Sequence, residues 1–239
     1  MDLTEDALLD GRVRLLQPRR GYRVAIDAVL LAAAIDAVAG ERVLDLGAGV
    51  GAVGLCIAAR IPQCTIVGIE LQPDLAAIAE RNAALNGATD RLRTIVHDLA
   101  RPLPETLGLF DHVATNPPYL SAATADPSPD RSKALATVES SADLARWLAV
   151  ATAAAKSAGT LTAIHRSDRS EEIVGHLERL GWADITIRRL PPAARVLIRA
   201  RRAGRLLRRE APPLVLHRPD GGYTAEAEAI LRHGAALAF

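Results

Sequence analysis

The stretch that most constrains this chain is a short apolar segment, Arg42–Leu46, whose end runs straight into Asp45-Leu46-Gly47-Ala48-Gly49-Val50-Gly51 and then into a helical pattern, Ala52–Arg60. Glycines at every second position allow a turn too tight for side chains and let a ligand approach the main chain. The alternation begun here continues. Strands are expected at Arg42–Leu46, Thr65–Glu70, Arg91–His97, His112–Thr115, Thr160–His165, Ile185–Leu190 and Val196–Ala200. Helices are expected at Ala52–Arg60, Asp74–Leu85, Ala142–Ser157 and Glu171–Leu180, with Pro73 suiting a first turn and Asn86-Gly87 a stop. Strands alternating with helices imply a mostly parallel, seven-stranded sheet covered on both faces. The last two strands are joined through Pro191-Pro192, a connection short enough to make them antiparallel.

The ends read differently. Arg12–Gln17 alternates, Pro18–Gly21 supplies a turn and Tyr22–Ile26 returns, so a small N-terminal hairpin is expected, followed by a helix over Asp27–Ala39. Ala203–Pro213 reads as a linker, Leu214–His217 as a strand and Ala225–His233 as a helix. With 49% hydrophobic residues in 239, the chain is expected to form one domain over 1–239: a hairpin extension (1–26), an α/β core (27–202) and a strand–helix extension (203–239). Ser121–Ser132, rich in Ala, Ser, Asp and Pro, reads as a mobile loop. Cys56 and Cys64 match no metal-ligand spacing and read as reduced thiols, and no metal is expected. Asp2, Glu5 and Asp6 exclude a signal peptide. Asp27 and Asp36 interrupt the apolar run Val24–Ala39, so no membrane span is expected and the chain reads as cytoplasmic.

Three acidic residues follow three strands. Asp45 precedes the glycines, where a carboxylate can face a cationic ligand and where a pyrophosphate would be disfavoured. Glu70 ends the second strand, placed to hold ribose hydroxyls, and Asp98 follows the third, placed to accept from an adenine amino group. With Gly47, Gly49 and Gly51 these residues point to S-adenosyl-L-methionine. Gly49, Gly51 and Gly54 also spell the dinucleotide pattern, so a nicotinamide oxidoreductase remains an alternative. The fourth strand ends in Asn116-Pro117-Pro118-Tyr119. A planar amino group is a poor nucleophile because its lone pair is delocalised. The Asn116 side-chain oxygen and the Pro117 carbonyl can take its two N–H bonds, favouring a pyramidal nitrogen aimed at a sulfonium methyl. Pro117-Pro118 keeps the backbone extended, and Tyr119 offers a face for a planar substrate.

This combination resembles the amino-methyltransferases of the class I Rossmann-like superfamily, from Arg42 to Arg189. A narrower resemblance rests on the run from Arg14-Leu15-Leu16-Gln17-Pro18 through Gly21-Tyr22-Arg23 to Asp27-Ala28-Val29-Leu30, and on Leu214-Val215-Leu216-His217 with Gly222-Tyr223-Thr224. These look like the ends of the bacterial tRNA1(Val) N6-adenine methyltransferases. The resemblance implies that Asp27 helps bind the cofactor and that the acceptor is the adenine 3′ of a tRNA anticodon. Protein-glutamine methyltransferases share Asn-Pro-Pro-Tyr but carry a helical N-terminal substrate domain, for which a glycine loop starting at residue 47 leaves no room.

Net charge is +1, so a nucleic-acid surface must come from local clustering. Arg12, Arg14, Arg19, Arg20 and Arg23 decorate the expected hairpin, and nine arginines lie between Arg188 and Arg209. Arg19, Arg20, Arg23, Arg199 and Arg202 are the candidate contacts to RNA. His97, His112 and His165 read as packing residues, Trp147 and Trp182 as core, and nothing calls for an obligatory protein partner. The reading is an adenine-N6 methyltransferase acting on RNA, with tRNA first. The alternatives are a ribosomal-RNA guanine-N2 enzyme, a protein-glutamine enzyme and a catalytically idle RNA-binding relative.

Overall fold

The computed structural model describes residues 2–21, 23–119 and 141–239, so the expected loop over Ser121–Ser132 lies outside the described residues. At the N-terminal end, β1 (Leu3–Leu8) and β2 (Val13–Pro18) pair antiparallel, with Leu3 opposite Pro18 and Leu8 opposite Val13. The hairpin therefore lies upstream of the expected one. Its turn is Leu9-Asp10-Gly11, all three with positive φ, and the partner of Arg12–Gln17 is the acidic segment before it. Cross-strand pairing holds that polar strand: Arg14 meets Glu5 at 2.7 Å and Gln17 donates to Asp6 at 2.9 Å.

The sheet is formed by β3 (Arg42–Leu46), β4 (Thr65–Glu70), β5 (Leu92–Val96), β6 (Phe110–Thr115), β7 (Ala155–Arg166), β8 (Ala183–Arg189), β9 (Arg195–Arg201) and β10 (Arg208–Glu210). Their order is β10-β8-β9-β7-β6-β3-β4-β5, with β9 antiparallel to both neighbours and the other pairs parallel. All seven expected strands are present. The eighth, β10, comes from the segment expected to be a linker, because Arg208–Glu210 can pair with the free edge of β8. Leu214–His217 is not a strand: its N–H groups go to Arg189 and Pro191 carbonyls, and His217 makes a single bridge to Tyr223.

The helices are α1 (Ile26–Ala33), α2 (Ala52–Arg60), α3 (Pro73–Leu85), α4 (Leu144–Ala154), α5 (Ser170–Arg179) and α6 (Ala225–Leu231). Among the described residues no helix is long and apolar enough to cross a membrane. Strand alternation divides the core: Val43 and Ala114 pack with the hairpin, α1, α2 and α3, while Leu44, Leu46 and Val113 pack with α4 and α5. α1 ends at Ala33, short of Ala39, because other groups take its last carbonyls. Arg60 donates to Ala32, the Leu237 N–H to Ala33, and Arg199 to the Ala34 carbonyl just beyond. Two guanidinium groups thus cap the negative end of the helix dipole. α4 stops at Ala154 because β7 begins at the next residue.

Among the described residues, the outer edge of β2 has no strand beside it. Asn82 on α3 and Asn86, which caps that helix one turn later, take that place. Asn82 accepts from the Leu16 N–H at 2.7 Å and donates to the Leu16 carbonyl at 2.9 Å; Asn86 does the same for Arg14 at 2.9 and 2.7 Å. Asn82 is fully buried and gives its remaining N–H to the Val50 carbonyl of the glycine turn at 2.9 Å. Asn82→Ala would strand three main-chain groups away from water and is expected to cost about 2–4 kcal/mol of unfolding free energy. Asn86→Ala, where water can substitute, is expected to cost less than about 1 kcal/mol, and urea titration of both variants checks the difference.

Candidate active site

The carboxyl ends of β3, β4, β5 and β6 open onto a cleft of about 940 Å³, its mouth included. That is the position expected for a ligand site of an α/β sheet. One wall is the glycine turn. Gly47 and Ala48 donate to the Ile69 carbonyl, both at 2.9 Å, and Gly49 donates to Glu70 Oε2 at 2.8 Å. Gly47 has φ +79°, and a Cβ there would come within 2.9 Å of Trp147, so this position excludes a side chain on two grounds. Trp147, on α4, donates from its indole to Thr115 Oγ1 at 2.6 Å, and that hydroxyl donates to the Leu46 carbonyl at 3.1 Å. The tryptophan read from sequence as core is a wall of the cleft.

Glu70 lines the cleft with 7% of its surface exposed. Burial raises its pKa, and the N–H groups of Gln72, Gly49 and Leu71 oppose the rise. Oε2 accepts from Gly49 and Oε1 from Gln72, and a carboxylate with about four lone-pair sites keeps room beside these three donors for a ligand's hydroxyl. Asp98 lines the cleft beyond β5, where the Ala100 N–H and the Ser141 hydroxyl lower its pKa. Asp45 lies beneath the turn and outside the cleft wall. Burial, followed by the neighbouring Glu70, pushes its pKa up to about 7, offset by the Gly54 N–H. Its Oδ2 has no hydrogen-bond partner among the described residues. Gly49 lines the cleft with Gly47, while Gly51 (φ +86°) sits behind them against Ala79.

Asn116 and Pro118 close the cleft on the β6 side. Asn116 Oδ1 is buried and has no partner among the described residues. An unmet buried acceptor costs about 1–3 kcal/mol, which a donor on a bound molecule would recover. His165 donates from Nε2 to the Pro118 carbonyl at 3.2 Å and packs against Tyr119. Burial lowers its pKa to about 4, so the ring is neutral near pH 7. A histidine read as packing therefore holds the loop.

Asp27 does not line the cleft. It sits on the first turn of α1 with its carboxylate on the Tyr119 hydroxyl, while its neighbours Val24 and Ala28 form wall. The five arginine candidates also separate. Arg19 pairs with Asp2 at 2.7 Å, Arg23 with Asp6 at 2.8 Å, and Arg20 is exposed. Arg199 has a side chain that is 8% exposed and paired with Asp36 at 2.9 Å. Arg202 follows the end of β9 and stacks on Trp182. Because β9 runs antiparallel, with Arg195 beside Arg166 and Arg201 beside Thr160, this end lies about 20 Å along the strand from the level of Arg195. Arg195, at the other end of the strand, lies over the ring of Tyr119.

The family described as methyltransferase small domain matches residues 23–130. A tRNA1(Val) (adenine(37)-N6)-methyltransferase of Porphyromonas gingivalis is 31% identical over 218 residues, covering 85% of this chain and 85% of that protein. A release factor glutamine methyltransferase of Deinococcus radiodurans is 34% identical over 169 residues, covering 68% of this chain and 59% of the relative's length. Among solved structures, one described as a predicted O-methyltransferase from Agrobacterium tumefaciens superimposes with a TM-score of 0.72 at 26% identity, covering 89% of this chain and 99% of that one.

Asp45 supplies a pH dependence with a definite sign. Its folded pKa of about 7 exceeds the ordinary carboxylate value near 4, so the folded state holds the proton more tightly. That contribution is complete below about pH 4 and is lost as pH rises through 7, by at most about 1.4 kcal/mol per pH unit. His165, lowered to about 4, works in the opposite direction below pH 6.5. The expected outcome is therefore in the difference: relative to Asp45→Asn, the unliganded wild type loses stability steadily from pH 4 to pH 7. Urea titrations of both proteins across that range measure it.

Proposed function

The chain belongs to the S-adenosylmethionine-dependent methyltransferase family that carries the methyltransferase small domain and includes the tRNA1(Val) (adenine(37)-N6)-methyltransferases, and from that premise we propose that it methylates the exocyclic N6 of an adenine in tRNA. The observation that carries the reading is the buried, unpartnered Oδ1 of Asn116 at the edge of the cleft. When bound, S-adenosylmethionine supplies a methyl group on a positively charged sulfur. The residues present suit it: Glu70 accepts from ribose hydroxyls, Asp98 from the adenine amino group, and the main chain of Gly47 and Gly49 approaches closely. Asp45, charged above about pH 7, adds negative potential beneath the turn.

On the acceptor side, Asn116 Oδ1 and the Pro117 carbonyl take the two N–H bonds of a planar amino group, localising its lone pair toward the methyl donor. The Pro118 carbonyl is already engaged by His165, which keeps the loop in register. Tyr119 offers its ring to a planar base, and an anticodon loop presents such a base with part of the unpairing cost already met. Of the arginines, Arg20 with Arg19 and Arg23 lies a few residues before Val24 of the cleft wall and is assigned to the phosphate backbone. A tRNA substrate places the reaction in the cytoplasm. The similarity to a release factor glutamine methyltransferase supports a second reading, since a carboxamide offers the same two N–H bonds.

Incubation of the protein with labelled S-adenosylmethionine and unmodified tRNA, followed by nucleoside mass spectrometry, is expected to find label in N6-methyladenine. Label in N2-methylguanine, or only in a release-factor glutamine, would overturn the substrate assignment. Asn116→Ala is expected to lower kcat by about a hundredfold, with cofactor affinity unchanged. Glu70→Ala is expected to weaken cofactor binding by about ten- to a hundredfold, as calorimetry can measure.

A further inference from the structure

Tyr119 and three side chains from distant parts of the chain, Asp27, Arg195 and His165, form one cluster. The Tyr119 hydroxyl donates to Asp27 Oδ2 at 2.6 Å, and Arg195 Nε donates to the same oxygen at 3.0 Å. The Arg195 guanidinium lies over the Tyr119 ring, 4.4 Å from its centroid. His165 meets the ring edge-on, with centroids 5.1 Å apart and planes at 81°. Asp27 and Arg195 are largely withdrawn from water, at 14% and 28% side-chain exposure. Among the described residues, none of these four lines the cleft.

We infer that Arg195, with Asp27, is a positioning residue for methyl transfer, acting through Tyr119. The inference rests on reading Asn116-Pro117-Pro118-Tyr119 as the loop that receives the acceptor. The hydroxyl bond fixes where the tip of the ring points, and the stacked guanidinium fixes its plane. One arginine bonded to the same carboxylate couples the two constraints. It also occupies one face of the ring, so a planar substrate cannot stack there. A cation held on that face draws π-density toward it, which favours contact of the ring with an electron-rich heterocycle over a saturated chain bearing an amide. β9 makes this possible: its reversed direction brings Arg195 beside Arg166, at the carboxyl end of β7, level with the loop.

The test reads the ring directly. The chain has three tyrosines, so fluorotyrosine labelling is expected to yield three fluorine resonances, with that of Tyr119 assigned by Tyr119→Phe. In Arg195→Ala and in the isosteric Asp27→Asn, the Tyr119 resonance is expected to move and broaden while the other two stay in place. The same variants are expected to lose at least tenfold in kcat, with affinity for S-adenosylmethionine changed less than twofold. Arg195→Lys, which keeps the charge but not the planar stack, is expected to recover only part of kcat. An unmoved Tyr119 resonance in both variants would overturn the clamp. A moved resonance with full kcat, or loss confined to cofactor affinity, would overturn its role in positioning. If the wild type methylates neither tRNA nor a glutamine peptide, the substrate reading fails, and the resonance alone then decides whether the clamp exists.

Discussion

A single carboxamide joins the parts from which one side of the cleft is made. Asn82 satisfies both main-chain groups of Leu16 and the carbonyl of Val50, so α3, the hairpin and the glycine turn share one buried hub. A strand edge facing a helix would leave unpaired backbone groups in the core, a cost that apolar packing cannot offset. Two asparagines at helical spacing meet it by presenting the donor–acceptor pair of a peptide group at the right interval. The hairpin is thereby a piece of the core architecture. The path it hands on to Val24 and Ala28 then becomes cleft wall.

The alternation of strand-like and helical segments made all seven expected strands legible, six of them through buried apolar runs and β5, at the sheet edge with only Leu92 buried, through its place in the alternation. The hairpin was harder. Asp10-Gly11 is a strong turn pair, but it lies between an acidic segment and a basic one, and charge concealed strands that hold together by pairing across the ladder. Arg208–Glu210 gave no strand signal at all, since three charged residues on a sheet edge have no apolar face to show.

The site was legible by residue type and less so by role. Glu70, Asp98, Gly47, Gly49 and Asn116 all come to the cleft, because strand ends bring them there. Asp27 was placed by resemblance alone, and its partners, Tyr119 and Arg195, lie 92 and 168 residues away in sequence. Trp147 could have been suspected only from a packing requirement at Gly47 that no local pattern encodes. The arginine run could not be placed by counting charge along the chain, because an antiparallel strand carries successive residues steadily away from the level of Arg195.

Much of the arginine in this protein behaves as mortar. Arg12 spans the carbonyls of Ala59 and His233, Arg42 those of Leu107 and Leu109, and Arg60 those of Ala32 and Gly234. Each forked cation ties two points of main chain, in two of the three cases points far apart in sequence, at a spacing that its planar geometry sets. An ammonium group, reaching the same place as a single point charge, has no second arm at a fixed distance. A composition that looks like a preference for basic surface is, at these positions, a set of crosslinks between main-chain segments, and exchanging arginine for lysine at equal charge would loosen the joints while leaving the electrostatic total untouched.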